Sequence, residues 1–232
     1  MIEWLPSTSQ DWEIITRLGS AGLMLPVWLL TWVGVWWTRE RLAATVWLLS
    51  LGVAVTLTLV SKTLFIGWGI GIAAWDFTGF SGHTLLATSV LPILFSVWLA
   101  PQQRAWRWLT AAAGLALAAL VGVSRVELGA HSVSEVVSAW LLGALVCLCT
   151  LQALGRMKPL PRLAGVLPLA LLLLAGRGAP HLPTHEWEVR IALKLSGAER
   201  PYTREQLQQQ QSGVSRAGGL QAPEPVTRLA AR

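Results

Sequence analysis

Six stretches of this chain are so apolar that they need a lipid surrounding: about 20–37, 43–62, 84–100, 108–123, 132–154 and 163–176. A helix needs roughly 20 mainly apolar residues to cross the hydrocarbon core of a bilayer. No water reaches the backbone there, so each run reads as a helix that closes its own hydrogen bonds rather than as an isolated strand. The third, fourth and sixth runs are short, and tilting or snorkelling ends must complete them. Composition agrees: 53% of residues are hydrophobic and only 13% charged, too little charge to cover a soluble domain of this size. The expected fold class is therefore all-α, a polytopic membrane helix bundle of about six transmembrane helices.

Charge placement orients the bundle. Arg39 and Arg41, then Arg104 and Arg107, then Arg156, Lys158 and Arg162 fall on one side of six alternating crossings. The 63–83 and 124–131 connections fall on the other side with few basic residues. The positive-inside rule makes the Arg-rich side cytoplasmic. Arg and Lys in the tail beyond residue 177 run against that trend. The net charge of +6 is scattered between apolar runs and reads as juxtamembrane anchoring, not as a nucleic-acid stripe. The N-terminus is acidic and lacks the layout of a cleavable signal, so the first apolar run is expected to be a retained span. Several of the 14 Trp sit at run ends, where amphipathic rings favour the headgroup zone. Trp28, Trp32 and Trp36 form one helical stripe, expected to pack or to face lipid. Cys147 and Cys149 lie inside an apolar run and read as small buried side chains.

Past the sixth run, residues 184–197 alternate like a strand, yet a lone strand has no partner. Thr184 and Gly197 frame a short helix at the membrane surface instead. The expected organisation is a membrane domain over 1–180, an interfacial segment over 181–202, and a disordered tail over 203–232, rich in Gln, Gly, Ser and Pro.

Polar groups at the ends of apolar runs are expensive and default to functional candidates. Here they gather on the outer side: Lys62 ends the second run, Ser81, Gly82 and His83 precede the third, Ser124 and Arg125 end the fourth, and His131 and Glu135 open the fifth. Each has a bland alternative when taken alone. Ser-Gly is a common helix start, a His with an acid four residues on is a common helix pair, and Ser-Arg before a loop is a common interface anchor. Together their chemistry is coherent. Arg125 is a permanently charged fork matched to phosphate oxygens, and Lys62 adds a point charge. The helix start at Ser81–His83 offers N–H groups and a positive dipole end to an anion. Glu135, one turn from His131, orients that imidazole and raises its basicity, as a nucleophile or base requires. His83 is placed to protonate a departing oxygen. The set fits phosphoryl transfer through a phosphohistidine, with no metal or cofactor called for. Asp76 and Glu127 are expected to be solvated or to cap loops. His181 and His185 are read as surface residues without an acid at helical spacing.

The segments FSGH (80–83) and SRVELGAHSVSE (124–135) resemble the second and third signatures of the type-2 phosphatidic acid phosphatase family, within the superfamily of bacterial acid phosphatases and vanadium haloperoxidases. The third signature is matched throughout, with Glu135 where the family more often has Asp. In the second, Phe80 replaces Pro. In the first, Lys62 supplies the Lys, but Gly69-Ile70 stands where Arg-Pro is usual. The resemblance implies His131 as nucleophile, Glu135 as its orienting partner, His83 as general acid, and Lys62, Ser81, Gly82 and Arg125 as phosphate ligands. It implies a lipid phosphate or diphosphate substrate, such as a polyprenyl diphosphate, phosphatidylglycerol phosphate, phosphatidic acid or lipid A phosphates, handled at the outer face of a bacterial inner membrane. Transfer of the phosphoryl group to a second lipid, or a non-catalytic protein on the same fold, are the alternatives. Membrane lipids are the expected surroundings, and no protein partner is indicated.

Overall fold

The computed structural model describes residues 9–99, 104–155, 168, 170 and 182–209. Their regular structure is helical: α1 (Ser9–Arg17), α2 (Ala21–Trp37), α3 (Arg41–Trp68), α4 (Gly82–Leu99), α5 (Arg104–Glu127), α6 (Val133–Ala153) and α7 (Thr184–Ser196). Five stretches among the described residues are long and apolar enough to cross a membrane: Ser9–Trp37, Arg41–Trp68, Gly82–Leu99, Ala105–Glu127 and Val133–Ala153. These match the first five apolar runs; the sixth, 163–176, and His181 lie outside the described residues. The chain is thus a multi-pass membrane helix bundle.

Helix α4 is the hub. Nearly its whole length is buried, from Thr84 through Leu94, and it packs on α2, α3, α5 and α6. Lipid offers no hydrophobic drive for helix pairing, so small residues that permit close approach carry the contact. Gly114 of α5 shows this: a Cβ there would lie 2.6 Å from Pro92 Cα. Gly143 of α6 faces Thr88 in the same way, at 2.7 Å from its Cβ. The tryptophan stripe is a packing seam. Trp32 stacks on Trp36 at 5.4 Å and Trp28 meets Trp47 edge-on at 6.4 Å, while Trp32 Nε1 donates to the Ala44 carbonyl at 2.9 Å. Cys147 is buried and Cys149 half-buried.

At the end of the bundle carrying the Arg-rich turns, the chain leaving α6 is tied down. Arg107 is buried and donates to the Gly155 carbonyl at 2.7 Å, and the Gly155 N–H donates to Glu40 at 3.0 Å. At the other end the helices outrun the apolar stretches. Helix α3 continues six residues past Lys62 to Trp68, so Lys62 lies inside the helix rather than at its end. The extension is stabilised by a second small core of Phe65 and Ile66 with Ala192 and Leu207. Gly69 ends α3 in the left-handed region at φ 68°, donating to the Phe65 carbonyl at 2.8 Å. A glycine suits that conformation, as at many helix C-termini.

Residues 184–196 form the helix, not the strand, with Gly197 as its left-handed cap. Its exposed stripe of Trp187, Ile191 and Leu195 fits a helix at a lipid surface. The start of the expected disordered tail differs from the structure: residues 204–209 form a helical segment. Tyr202 anchors it, its N–H donating to the Ile66 carbonyl at 2.9 Å.

Gly114→Ala is expected to lower the thermal midpoint of the protein in detergent, because the new methyl meets Pro92 backbone that has nowhere to move. Overpacking of this kind costs about 1–3 kcal/mol. Gly52→Ala, with nothing within 4 Å of the added carbon, is the control and should leave the midpoint unchanged or higher.

Candidate active site

The antiparallel course of the helices brings the C-terminal parts of α3 and α5 together with the N-terminal parts of α4 and α6. A cavity of about 480 Å³ opens there, lined among others by Lys62, His83, Arg125, His131, Glu188 and Arg204. Four of the seven site residues expected from sequence therefore line one space. Glu135 stands directly behind His131. Ser81 and Gly82 stand at the start of α4 and are not among the lining residues.

His131 sits in the turn between α5 and α6, and local chemistry forces its position. Ser132 caps α6: its hydroxyl accepts from the Glu135 N–H at 3.4 Å, and Glu135 Oε2 accepts from the Ser132 N–H at 3.1 Å. This reciprocal capping box satisfies two N–H groups that a helix start leaves open. The same carboxylate oxygen meets His131 Nδ1 at 2.7 Å. With Nδ1 engaged, Nε2 is the nitrogen left for chemistry in the cavity. Glu135 itself is fully buried. Its other oxygen accepts from the Thr78 N–H at 2.7 Å and from the Thr78 hydroxyl.

The expected rise in His131 basicity does not prevail. Burial disfavours the imidazolium and lowers its pKa from the ordinary 6.5; the hydrogen bond and charge of Glu135 push upward, while Lys62 and Arg125 add to the lowering. The net result is a neutral imidazole at neutral pH.

Arg125 ends α5 with its Nη1 donating to Thr16 Oγ1 of α1 at 3.1 Å. Its Nε is buried and meets no acceptor among the described residues. A buried unpaired donor on a permanent cation is costly, and its position on the cavity wall suits an anion. At the opposite wall α4 begins at Gly82, so the first-turn N–H groups have no acceptor within the helix. The Ser81 N–H, expected to meet phosphate, is instead taken by the Glu135 carbonyl at 3.3 Å. The Ser81 hydroxyl accepts from Thr84 at 3.0 Å. Ser81 thus fixes α4 to α6. Gly79 has φ 148°, and a Cβ there would lie 2.9 Å from Lys62 Cγ, so glycine lets the 78–80 loop pass over the lysine.

Three contacts were not foreseen. Lys62 Nζ is held by Glu188 of α7, at 3.0 Å to each oxygen. Arg204 bridges Glu135, at 3.0 Å to each oxygen, and Asp76. Asp76, expected to be solvated or to cap a loop, is therefore an ion-pair partner. His185 is 81% exposed, as expected of a surface residue, but it does have an acid at helical spacing: Glu188 Oε2 lies 3.7 Å away. Arg204 and Glu188 sit more than 50 residues beyond the signature segments, in stretches without a motif. The one available signal was the excess of Arg and Lys beyond residue 177, which runs against the trend expected from the positive-inside rule.

A family model for the PAP2 superfamily matches residues 70–158, which span the cavity's 78–83 loop, Arg125, His131 and Glu135. A Klebsiella pneumoniae protein described as an uncharacterized 22.5 kDa protein in cps region is 32% identical over 208 residues, covering 86% of this chain and 99% of that protein. No solved structure matches the chain. With a matched superfamily model and a relative aligned over most of its length, the chain belongs to the PAP2 superfamily.

Proposed function

We propose that this protein hydrolyses a phosphate monoester or diphosphate on a membrane lipid through a phosphohistidine at His131. The observation that carries the reading is the pairing, on one cavity, of an imidazole held through Nδ1 by Glu135 with a half-buried Arg125 whose Nε lacks an acceptor among the described residues. One supplies a nucleophile, the other a site for the group attacked. The phosphoryl oxygens lie against Arg125, Lys62 and the start of α4. His131 Nε2 attacks phosphorus, the bond from phosphorus to the lipid oxygen breaks, and His83 gives that oxygen its proton. Water then attacks the phosphohistidine, yielding its proton to His83, and the P–N bond breaks to release phosphate. Charge is stabilised by Arg125 and Lys62, so the scheme calls for no metal.

The lipid part of the reading rests on a second space. An apolar groove of about 300 Å³ runs between α2, α3, α4 and α7 and shares Lys62 and His83 with the polar cavity. An amphiphile with its phosphate in the cavity and its chain in the groove fits both. The site end is proposed to face away from the cytoplasm, across an inner membrane, because the Arg-rich turns lie at the opposite end.

Purified full-length protein in detergent should release free phosphate from some member of a panel of lipid monophosphates and diphosphates, with chelator present. Appearance of a phosphorylated acceptor lipid in place of free phosphate would make the enzyme a phosphotransferase. His131→Ala, His83→Ala and Arg125→Ala should each lower the rate by more than about a hundredfold, and His131→Ala should abolish any trappable phosphoenzyme. Activity surviving in His131→Ala, or lost to chelator and restored by metal, refutes the scheme.

The pH profile follows from the lowered pKa of His131. An imidazole that resists protonation stays nucleophilic as pH falls, so the acidic limb of kcat/KM should lie below the ordinary 6.5. Glu135→Gln removes an upward influence and should move that limb lower still while reducing the rate. Orientation is checked by impermeant thiol labelling of single-Cys variants lacking Cys147 and Cys149. A Cys at 78 should label in spheroplasts and one at 39 should not; the reverse would turn the site inward.

A further inference from the structure

The segment after Lys62 brings no arginine to the cavity: residues 63–70 read TLFIGWGI. Yet a second guanidinium is present. Arg204 arrives from the far end of the described chain and lines the same cavity as Arg125 and His131. Its Nη2 reaches both oxygens of Glu135 at 3.0 Å, while Nη1 bonds the Asp76 side chain and, at 3.1 Å, the Asp76 carbonyl. The approach is built, not incidental. Tyr202 docks on Gly69 at the end of α3, the Tyr202 N–H bonds the Ile66 carbonyl, and Leu207 enters the small core with Phe65 and Ile66. Gln208 adds a bond to Asp76 at 3.2 Å.

We infer that Arg204 is a positioning residue for the His131–Glu135 pair, delivered by the C-terminal segment. It clamps the carboxylate that holds His131 Nδ1 and sets the charge that the imidazole experiences. The inference rests on the proposed role of His131. The fork explains why arginine is suited here: one nitrogen takes Glu135 while the other takes Asp76, a geometry that the single ammonium of lysine does not reproduce. The charged and titratable groups around the pair are Lys62 from α3, Asp76 from the loop, His83 from α4, Arg125 from α5, His185 and Glu188 from α7, and Arg204 itself. Among these, Arg204 is the cation bonded directly to Glu135. Removing it leaves the carboxylate's charge uncompensated toward His131, which favours the imidazolium. Removing Asp76 does the opposite.

The test uses full-length Arg204→Gln, Arg204→Lys and Asp76→Asn variants with matched thermal midpoints in detergent. In Arg204→Gln the acidic limb should move to higher pH, with kcat falling about tenfold or more, the scale for losing a group that orients a working histidine, and falling more than KM rises. Arg204→Lys should return the limb toward its original position while recovering only part of the rate. Asp76→Asn should shift the limb to lower pH. A limb unmoved in folded Arg204→Gln, or moved to lower pH, overturns the inference. Should Arg204→Gln not fold, the Asp76→Asn shift decides: a limb unmoved or moved upward overturns it. Titration of the His131 ring by NMR, assigned against His131→Gln, reads the same shifts without turnover. Wild-type protein lacking phosphatase activity would defeat the proposed function, yet the NMR shifts would still uphold or overturn the clamp.

Discussion

A carboxylate with no exposed surface sits at the junction of three parts of this chain, and their arrangement depends on keeping it satisfied. Glu135 accepts from His131, from the Ser132 N–H, from the N–H and hydroxyl of Thr78, and from Arg204. Removing one partner of a buried pair is strongly destabilising, because the remaining charge is left uncompensated. These donors come from three structural units: the turn before α6, the loop before α4, and the C-terminal segment. The charge therefore ties those units to one another. It also engages His131 through Nδ1, so the requirement that shapes the cavity wall also orients that imidazole.

The rest of the bundle serves to bring these pieces within reach. Helix α4 can be buried on several sides because Gly114 and Gly143 let α5 and α6 approach its backbone and Thr88. That close packing sets the relative heights of the start of α4, the end of α5 and the start of α6. At the opposite end, Arg107 and Glu40 hold the chain at Gly155, so α6 is fixed at both termini. Side chains that must act together at angstrom precision are thus mounted on elements locked by packing rather than on free loops. Helix α1 adds Thr16 behind Arg125, a contact that restrains the guanidinium without neutralising it.

What could be read in advance follows from the range of each interaction. Apolar length is a property of consecutive residues, so five spans were legible, and the framing residues Thr184 and Gly197 made the helix after them legible too. The His131–Glu135 pair lies within one helical turn and was equally plain. Gathering Lys62, His83 and Arg125 on one side needed only the alternation of crossings. Long-range charge pairing was not legible, because nothing local to Arg204 or Glu188 distinguishes a pocket residue from a solvated one. The same blindness misjudged Asp76, whose partner is 128 residues away, and Ser81, whose N–H is consumed by a carbonyl of α6. It also misjudged the basicity of His131: the neighbouring acid is visible in sequence, but the burial that outweighs it is a property of the folded cavity.

On the proposed function, the charge balance of the cavity bears on how a phosphate is held there. Lys62, Arg125 and Arg204 face Asp76, Glu135 and Glu188, and two of the three cations are already paired with carboxylates. An incoming phosphate therefore meets no large excess of positive charge. To gain Lys62 it has to share that ammonium with Glu188 or displace it, giving back part of the attraction it acquires. Arg125 is the one of the three cations with no carboxylate partner among the described residues. A site of this kind holds an isolated phosphate weakly, which favours release of that product. Binding of a whole substrate must then draw on the rest of the molecule, and the apolar groove adjoining Lys62 and His83 is where such binding is available. Free energy gained by a lipid chain there can be used to open the Lys62–Glu188 pair and to set phosphorus against His131, so that remote contacts support the chemical step. On the proposed reading, a soluble phosphate ester offers the same reacting group without that source.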